Sequence, residues 1–405
     1  MFSTHGSLKQ AIAKAFKIQN PKSRDLGRIN LPKNCFKIQI QNGITRRKFL
    51  QNSAAASLGL GLSGCGWTLA KVRSAPANSE ASSKLLYIYT WAGYTDDNLL
   101  NRFTKETGIK VIADVFDSNE AMLARLQALG GGEYSIIYPS DYTVRKMVDL
   151  GLLKELERSR LVGLDRLVPR FQNPIYDPGN RYSIPLSWGT TGLIYNTQKL
   201  KQPPEDWNYL WDNKQTLSNR MTLLSDVREV MGAVLKMMGY PYNSTDPQQI
   251  KQAYEKLVIL KPAIASFTTD AWKTQILTND LLLAMCFSAD ANEVIPENKN
   301  LEYVIPKSGS SLWTDTLVIP VTAPNPEGAY AWMNFLLQPD VAAQICERLS
   351  FATPNQAAIN ILPEEVRNNP ILFPPESRLE NCEGVAPIGK VAEVYEAYWT
   401  RLTSA

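Results

Sequence analysis

Histidine is almost absent from this chain of 405 residues, since the single histidine is His5. The rest of the chain therefore cannot form a Ser-His-Asp triad, a Cys-His pair or a histidine-containing metal site. Cysteine is also scarce, with five residues and no Cys-x-x-Cys spacing. The sequence thus predicts no metal site and no cofactor, and it excludes the histidine-dependent forms of nucleophilic catalysis.

Long apolar runs are missing as well. A membrane span needs about 20 apolar residues in succession, and no segment of this sequence reaches that length. A shorter run at residues 53–62 follows Arg46 and Arg47. Two arginines before a short apolar run are typical of a twin-arginine export signal. The ending Leu62-Ser63-Gly64-Cys65 resembles a lipobox, which predicts that Cys65 becomes the lipidated first residue of the mature protein. A buried helix rich in Ala, Gly and Leu is the alternative.

Charge is divided unevenly along the chain. Residues 1–64 contain 11 of the 43 basic side chains but only one of the 39 acidic ones, which leaves the remainder with a net charge of −6. A mildly acidic mature protein gives no indication of a nucleic-acid partner. We predict a signal region at 1–64, a lipidated cysteine with a flexible tether at 65–84, and a monomeric periplasmic protein that contacts the membrane only through its lipid.

Strand and helix patterns alternate after the tether. Apolar runs at 86–89, 111–115 and 134–138 predict strands, and amphipathic patterns predict helices at 96–107, ended by Gly108, and from an N-cap at Ser118 to residue 129. This alternation favours an α/β fold with a parallel sheet covered by helices. Ligands of such folds bind beyond the carboxyl ends of the strands.

The mature part exceeds one typical domain, so we expect two lobes with the ligand in the cleft between them. The segment 182–189 is the predicted crossing from the first lobe. We place one lobe at 85–192 plus 313–360 and the other at 193–312 plus 361–405.

Three clusters combine aromatic and acidic side chains. Trp91 and Tyr94 join the Ser140-Asp141-Tyr142 segment at predicted strand ends, Asp226 and Glu229 lie three residues apart, and Trp313 alternates with Asp315. Carboxylates bind ammonium groups and aromatic faces cover a cation and its methylenes, so the clusters suit an extended organic cation. Core packing of the aromatics and a solvated helix turn for the acids are the alternatives. Binding of this kind requires no shifted pKa.

The chain from about Leu85 to Leu402 resembles the spermidine/putrescine-binding proteins of polyamine ABC transporters. The resemblance implies a two-lobed periplasmic-binding-protein fold, type II-like, that closes by a hinge on its ligand. It also implies a binding protein without enzymatic activity, with an ABC permease and its ATPase as partners. The segments that carry it are 103–111, 183–185 with 188–189, 226–229, 239–240 with 245–247, 334–337 with 339–342, and 353–355.

The same resemblance implies a set of ligand contacts. Two positions depart from the family pattern, because Phe287 replaces a tryptophan and Phe351 replaces a tyrosine. A third departure removes an acid, since Ala92-Gly93 stand where the family has Thr-Glu, and Asp141 could replace it. The implied contacts are Trp91, Tyr94, Ser140, Asp141, Tyr142, Asp226, Glu229, Phe287, Trp313, Asp315 and Phe351.

Other functions remain open at this point. A protein of the same fold could bind an amino acid, a sugar or ferric ion, although the four acids near only one arginine, Arg228, argue against an anion. Arg228 could pair with a neighbouring acid or bind a ligand carboxylate. A secreted hydrolase with Asp226 and Glu229 as its carboxylate pair is less favoured. A sensor that reports polyamine to a receptor would use the same binding residues.

Overall fold

The computed structural model describes residues 83–128, 130 and 132–404. The predicted signal region, Cys65 and nearly all of the predicted tether lie outside these residues. No helix in the described part of the chain has the length and apolar character that crossing a membrane requires.

The strands form a mixed sheet system with the order β2-β1-β3-β9-β4-β7-β5-β6, in which β10 pairs with β9 and β8 with β4. The strands are β1 (Leu85–Trp91), β2 (Lys110–Phe116), β3 (Ile136–Ile137), β4 (Ser183–Asn196), β5 (Met221–Leu223), β6 (Ile264–Phe267), β7 (Leu283–Phe287), β8 (Leu301–Val304), β9 (Ser311–Val318) and β10 (Glu383–Gly384).

Strand β4 links two parts of the sheet system. Its residues 183–190 pair with β9, whereas residues 191–196 pair with β7 and β8. All 14 residues of β4 are buried. One large apolar core surrounds β1, β3 and the first part of β4, and a second surrounds β5 and β7. The segment 182–189 overlaps the first part of this strand, and its role as the crossing between lobes stays a prediction.

Helices cover the sheets. They are α1 (Asp97–Thr107), α2 (Asn119–Ala128), α3 (Asp141–Asp149), α4 (Pro169–Gln172), α5 (Tyr209–Asp212), α6 (Val227–Met237), α7 (Pro247–Leu260), α8 (Trp272–Leu277), α9 (Ser288–Val294), α10 (Pro326–Leu336), α11 (Pro339–Leu349), α12 (Gln356–Ile361), α13 (Glu364–Arg367), α14 (Glu376–Leu379) and α15 (Ala392–Ser404).

The predicted ends of the first helices agree with local hydrogen bonds. The Asp96 side chain accepts the amide of Leu99 at 2.8 Å at the start of α1, and Gly108 ends α1 at a φ of 73°. A side chain that accepts an amide satisfies one of the unpaired donors of a helix N-terminus. Ser118 does the same for Ala121 at the start of α2, at 3.1 Å. Short-range patterns therefore determine these boundaries.

The sheet differs from the predicted parallel one. Strands β1, β2 and β3 are parallel, but β9 runs antiparallel to both β3 and β4. Strand β3 is also shorter than the predicted 134–138, because its ladder with β9 consists of a single pair, Ile137 and Val318. The direction in which β9 returns is a tertiary feature that local periodicity does not encode.

Candidate ligand-binding site

Strand β9 presents the central residues of the site. Side chains alternate between the faces of a strand, so Ser311, Trp313 and Asp315 share one face. Trp313 lies opposite Gly189 on β4, where a Cβ atom would stand 2.1 Å from the Cζ2 atom of the indole. Only glycine leaves room for the ring there, so Gly189 fixes the position of Trp313.

Asp315 forms one acidic end of the site. Its carboxylate accepts hydrogen bonds from the Tyr94 hydroxyl at 2.6 Å and from the Ser140 hydroxyl at 2.8 Å. The Tyr94 hydroxyl also hydrogen-bonds the Ser187 hydroxyl. Burial raises the pKa of Asp315, and the two hydroxyl donors partly offset that rise.

Aromatic rings form a row beside this acid. Ring centroids are 5.6 Å apart for Tyr94 and Phe351, 5.7 Å for Phe351 and Trp313, and 5.9 Å for Trp313 and Phe287. Such separations are typical of tilted and edge-to-face contacts. Trp91 lies outside this row and packs against Phe116 at 4.4 Å.

Asn119 organises the Ser140–Tyr142 segment and was missed by the sequence analysis. Its amide nitrogen donates to the Ser140 hydroxyl at 3.1 Å and to the Tyr142 hydroxyl at 2.9 Å, and its oxygen accepts the Ser140 amide at 3.1 Å. The side chain is 5% exposed. Its position at the start of α2 was the only available signal, and a helix start alone does not indicate a ligand site.

Asp226 and Glu229 form a second acidic group. Asp226 is the N-cap of α6, where it accepts the amides of Arg228 at 2.8 Å and Glu229 at 3.1 Å. Glu229 lies in the first turn of α6 and accepts hydrogen bonds from the hydroxyls of Tyr242 at 2.9 Å and Ser311 at 2.7 Å. Burial and the nearby charge of Asp226 raise the pKa of Glu229 to about 7. Ser311 therefore connects this group to the strand that carries Trp313 and Asp315.

Asp141 is the most buried of the predicted acids, with 1% of its surface exposed. One carboxylate oxygen accepts the amide of Tyr142 at 2.7 Å, and the other has no hydrogen-bond partner among the described residues. Burial raises the pKa of Asp141 well above its usual range, and the charges of Asp315 and Glu229 raise it further. The pKa values of Asp141, Glu229 and Asp315 are thus all raised by burial, which leaves the expectation that binding requires no shifted pKa as a prediction.

Basic side chains do not neutralise these acids. No lysine or arginine within the described ranges lies within 4.0 Å of the carboxylates of Asp141, Asp226, Glu229 or Asp315. Arg228 instead donates to the Asn243 side chain and to the Ala386 carbonyl, both at 2.8 Å. Buried carboxylates without a cation are costly, so the site is electrostatically suited to a positively charged ligand.

Other parts of the protein hold the segment 381–383 in place. Glu383 accepts the Lys236 ammonium at 2.9 Å and the Tyr242 amide at 3.2 Å. Asn381 donates to the Lys307 carbonyl at 2.9 Å. The cysteines Cys286, Cys346 and Cys382 are free thiols. In the described part of the chain, no group of three or more His, Cys, Asp and Glu side chains is arranged to hold a metal ion.

Two lobes with aromatic and acidic side chains converging near a long shared strand are the architecture of a solute-binding protein. The chain belongs to the bacterial extracellular solute-binding protein family, whose model matches residues 98–374. It is 37% identical over 361 residues to spermidine/putrescine-binding periplasmic protein 1 of Haemophilus influenzae, which covers 89% of this chain and 99% of that protein.

Solved structures agree with this assignment. The spermidine/putrescine ABC transporter substrate-binding protein PotD of Streptococcus pneumoniae superposes with a TM-score of 0.73 at 38% identity, covering 80% of this chain and 99% of that one. A putative spermidine/putrescine ABC transporter protein of Listeria monocytogenes gives a TM-score of 0.73 at 39% identity, covering 79% of this chain and 99% of that one. These relatives confirm three predictions: the two-lobed α/β fold, the resemblance to spermidine/putrescine-binding proteins, and a binding protein rather than an enzyme. The individual ligand contacts stay predictions.

Proposed function

We propose that this protein is the substrate-binding component of an ABC importer, which captures a polyamine such as spermidine or putrescine and delivers it to the membrane permease. One observation carries the proposal. The partly buried Asp315 carboxylate and the buried Glu229 carboxylate have no basic partner among the described residues, and on β9 they are reached at Asp315 itself and through Ser311, two residues to either side of Trp313. An extended organic cation with ammonium groups at its ends satisfies both acids and leaves its methylenes against the aromatic rings.

The names of the relatives support the ligand class, because both curated and solved relatives are spermidine/putrescine proteins. The relatives are also periplasmic, which supports a periplasmic location. We further propose a monomer anchored by lipid at Cys65, an ABC permease and its ATPase as partners, and the lobe boundaries given above. The proposed ligand contacts are Trp91, Tyr94, Ser140, Asp141, Tyr142, Asp226, Glu229, Phe287, Trp313, Asp315 and Phe351.

Calorimetric titration of the purified protein tests the ligand class. Putrescine, spermidine and spermine should give saturable heat, whereas glutamate and a sugar should give none. Asp226→Asn removes a charge at the site and should weaken polyamine binding about tenfold or more, as loss of a charged hydrogen bond does. Asp246→Asn is the matched control, because Asp246 caps α7 in the same way and lies outside the proposed site.

The other functions predict different results in the same experiment. Heat with glutamate or the sugar, but not with a polyamine, would assign the protein to another ligand. Turnover of a glycoside would establish the hydrolase with its Asp226 and Glu229 pair. Uptake of labelled polyamine by cells that lack this protein distinguishes a sensor, whose loss leaves uptake intact, from a transport component.

A further inference from the structure

Arg348 joins two segments that carry predicted ligand contacts. It lies in the last turn of α11, and its guanidinium reaches the loop between β1 and α1. The Nε atom pairs with the Asp96 carboxylate at 3.0 Å, and one terminal nitrogen donates to the Tyr94 carbonyl at 3.0 Å. The other terminal nitrogen donates to the Gly93 carbonyl. One planar group therefore contacts three acceptors of the same loop.

The loop needs such support because its backbone turns sharply. Gly93 has a φ of 83°, a backbone conformation that residues other than glycine rarely adopt. Asp96 also accepts the amide of Leu99 at the start of α1, so its two carboxylate oxygens serve a helix end and Arg348 at once. Tyr94 lies between these two points, and its position follows from theirs.

The other segment begins directly after Arg348. Ser350 ends α11 in the left-handed conformation, with a φ of 55°, and Phe351 follows. Ala352 then pairs with Trp188 on β4. The Phe351 ring contacts the Tyr94 ring, whose hydroxyl reaches Asp315. Arg348 thus fixes the distance between two aromatic contacts and, through Tyr94, the orientation of an acid.

We propose that Arg348 is a positioning residue for ligand binding, which acts through Tyr94 on Asp315 and does not touch the ligand itself. The inference rests on the proposed function for its affinity readout. An ion pair as exposed as Arg348 with Asp96 contributes little to stability. The planar guanidinium gives directional hydrogen bonds, which lysine cannot reproduce.

Arg102 provides a matched control. It lies on α1 and pairs with Asp340 of α11 at 2.6 Å, and its side-chain exposure of 33% is close to the 27% of Arg348. It does not contact the loop that carries Tyr94. We expect Arg348→Ala to weaken polyamine binding about tenfold and Arg102→Ala to change it less than about twofold. Arg348→Lys, which keeps the charge, should give an intermediate loss and serves if the alanine variant does not fold.

A double-mutant cycle separates positioning from general destabilisation. If Arg348 acts through Tyr94, Arg348→Ala should cost little further affinity in a Tyr94→Phe background. Equal losses for the Arg348 and Arg102 variants, or losses that multiply with Tyr94→Phe, would overturn the proposal.

Hydrogen exchange gives a readout that does not depend on the ligand. Arg348→Ala should speed amide exchange at residues 93–96 and 350–352, whereas Arg102→Ala should not. If the wild-type protein binds no polyamine while the two variants still differ in exchange in this way, the proposed function is rejected and the positioning role of Arg348 is retained. Unchanged exchange in Arg348→Ala would reject that role.

Discussion

Glu229 should couple ligand binding to proton release. The side chain is 4% exposed, and no lysine or arginine in the described part of the chain lies within 4.0 Å of its carboxylate. Burial, and then the charge of Asp226, raise its pKa to about 7. A cationic ligand stabilises the ionised form, so it must displace the proton that Glu229 carries below that pH. We therefore expect polyamine affinity to fall as the pH is lowered.

The size of the effect follows from the pKa. At about pH 6, one unit below a pKa of about 7, roughly one molecule in ten has Glu229 ionised. Affinity should then be about tenfold lower than at about pH 8, which corresponds to ~1.4 kcal/mol. The stability of the ligand-free protein should depend on pH in the opposite direction. The pKa of Glu229 in the folded protein lies above the ordinary 4.5, so its contribution to stability is fully present below pH 4.5 and is lost as the pH rises through about 7.

Calorimetry in buffers of different ionisation enthalpy measures both the polyamine affinity and the number of protons released on binding. Titration of putrescine should release close to one proton at about pH 6 and almost none at about pH 8. Glu229→Gln should bind more weakly but lose most of the pH dependence. Glu255→Gln, which alters an exposed glutamate of α7, should behave like the wild-type protein. A Glu229→Gln variant that retains the wild-type slope would refute the reasoning, because the proton would then belong to another group.

Three further predictions concern the packing and hydrogen bonds of the site and of the segment that leads into β4. Gly189→Ala should displace the Trp313 indole, because its Cβ would lie 2.1 Å from the ring, and should reduce polyamine affinity about tenfold with a change in tryptophan fluorescence. Asp226→Ala should lower the free energy of unfolding by about 1 kcal/mol through loss of the N-cap, whereas Asp226→Asn should keep it, and urea unfolding distinguishes the two. Asp177→Ala should destabilise the protein by about 3 kcal/mol, because the buried Asp177 carboxylate accepts the amides of 181–183 and the Ser183 hydroxyl. A thermal unfolding temperature equal to that of the wild-type protein would contradict this.

Much of the first lobe was predictable from short-range patterns. The N-cap at Asp96, the end of α1 at Gly108 and the alternation of Trp313 with Asp315 on one strand face all depend on residues within a few positions of each other. Capping and side-chain periodicity act over that range, so the sequence records them directly. The direction of β9 was not predictable, because it depends on how the chain returns from the second lobe.

The sequence by itself determined which chemical groups are present: aromatic rings, carboxylates without histidine, and few basic residues nearby. Only the tertiary structure decided how they are used. Ser311 lies 82 positions from Glu229, Asn119 lies 21 from Ser140, and Arg348 lies 254 from Tyr94, and each pair is hydrogen-bonded. Contacts over such separations arise from the packing of whole elements. Packing also buries the acids, and burial raises their pKa. For this reason the type of ligand could be predicted from composition and motifs, whereas the proton linkage and the role of Arg348 required the folded chain.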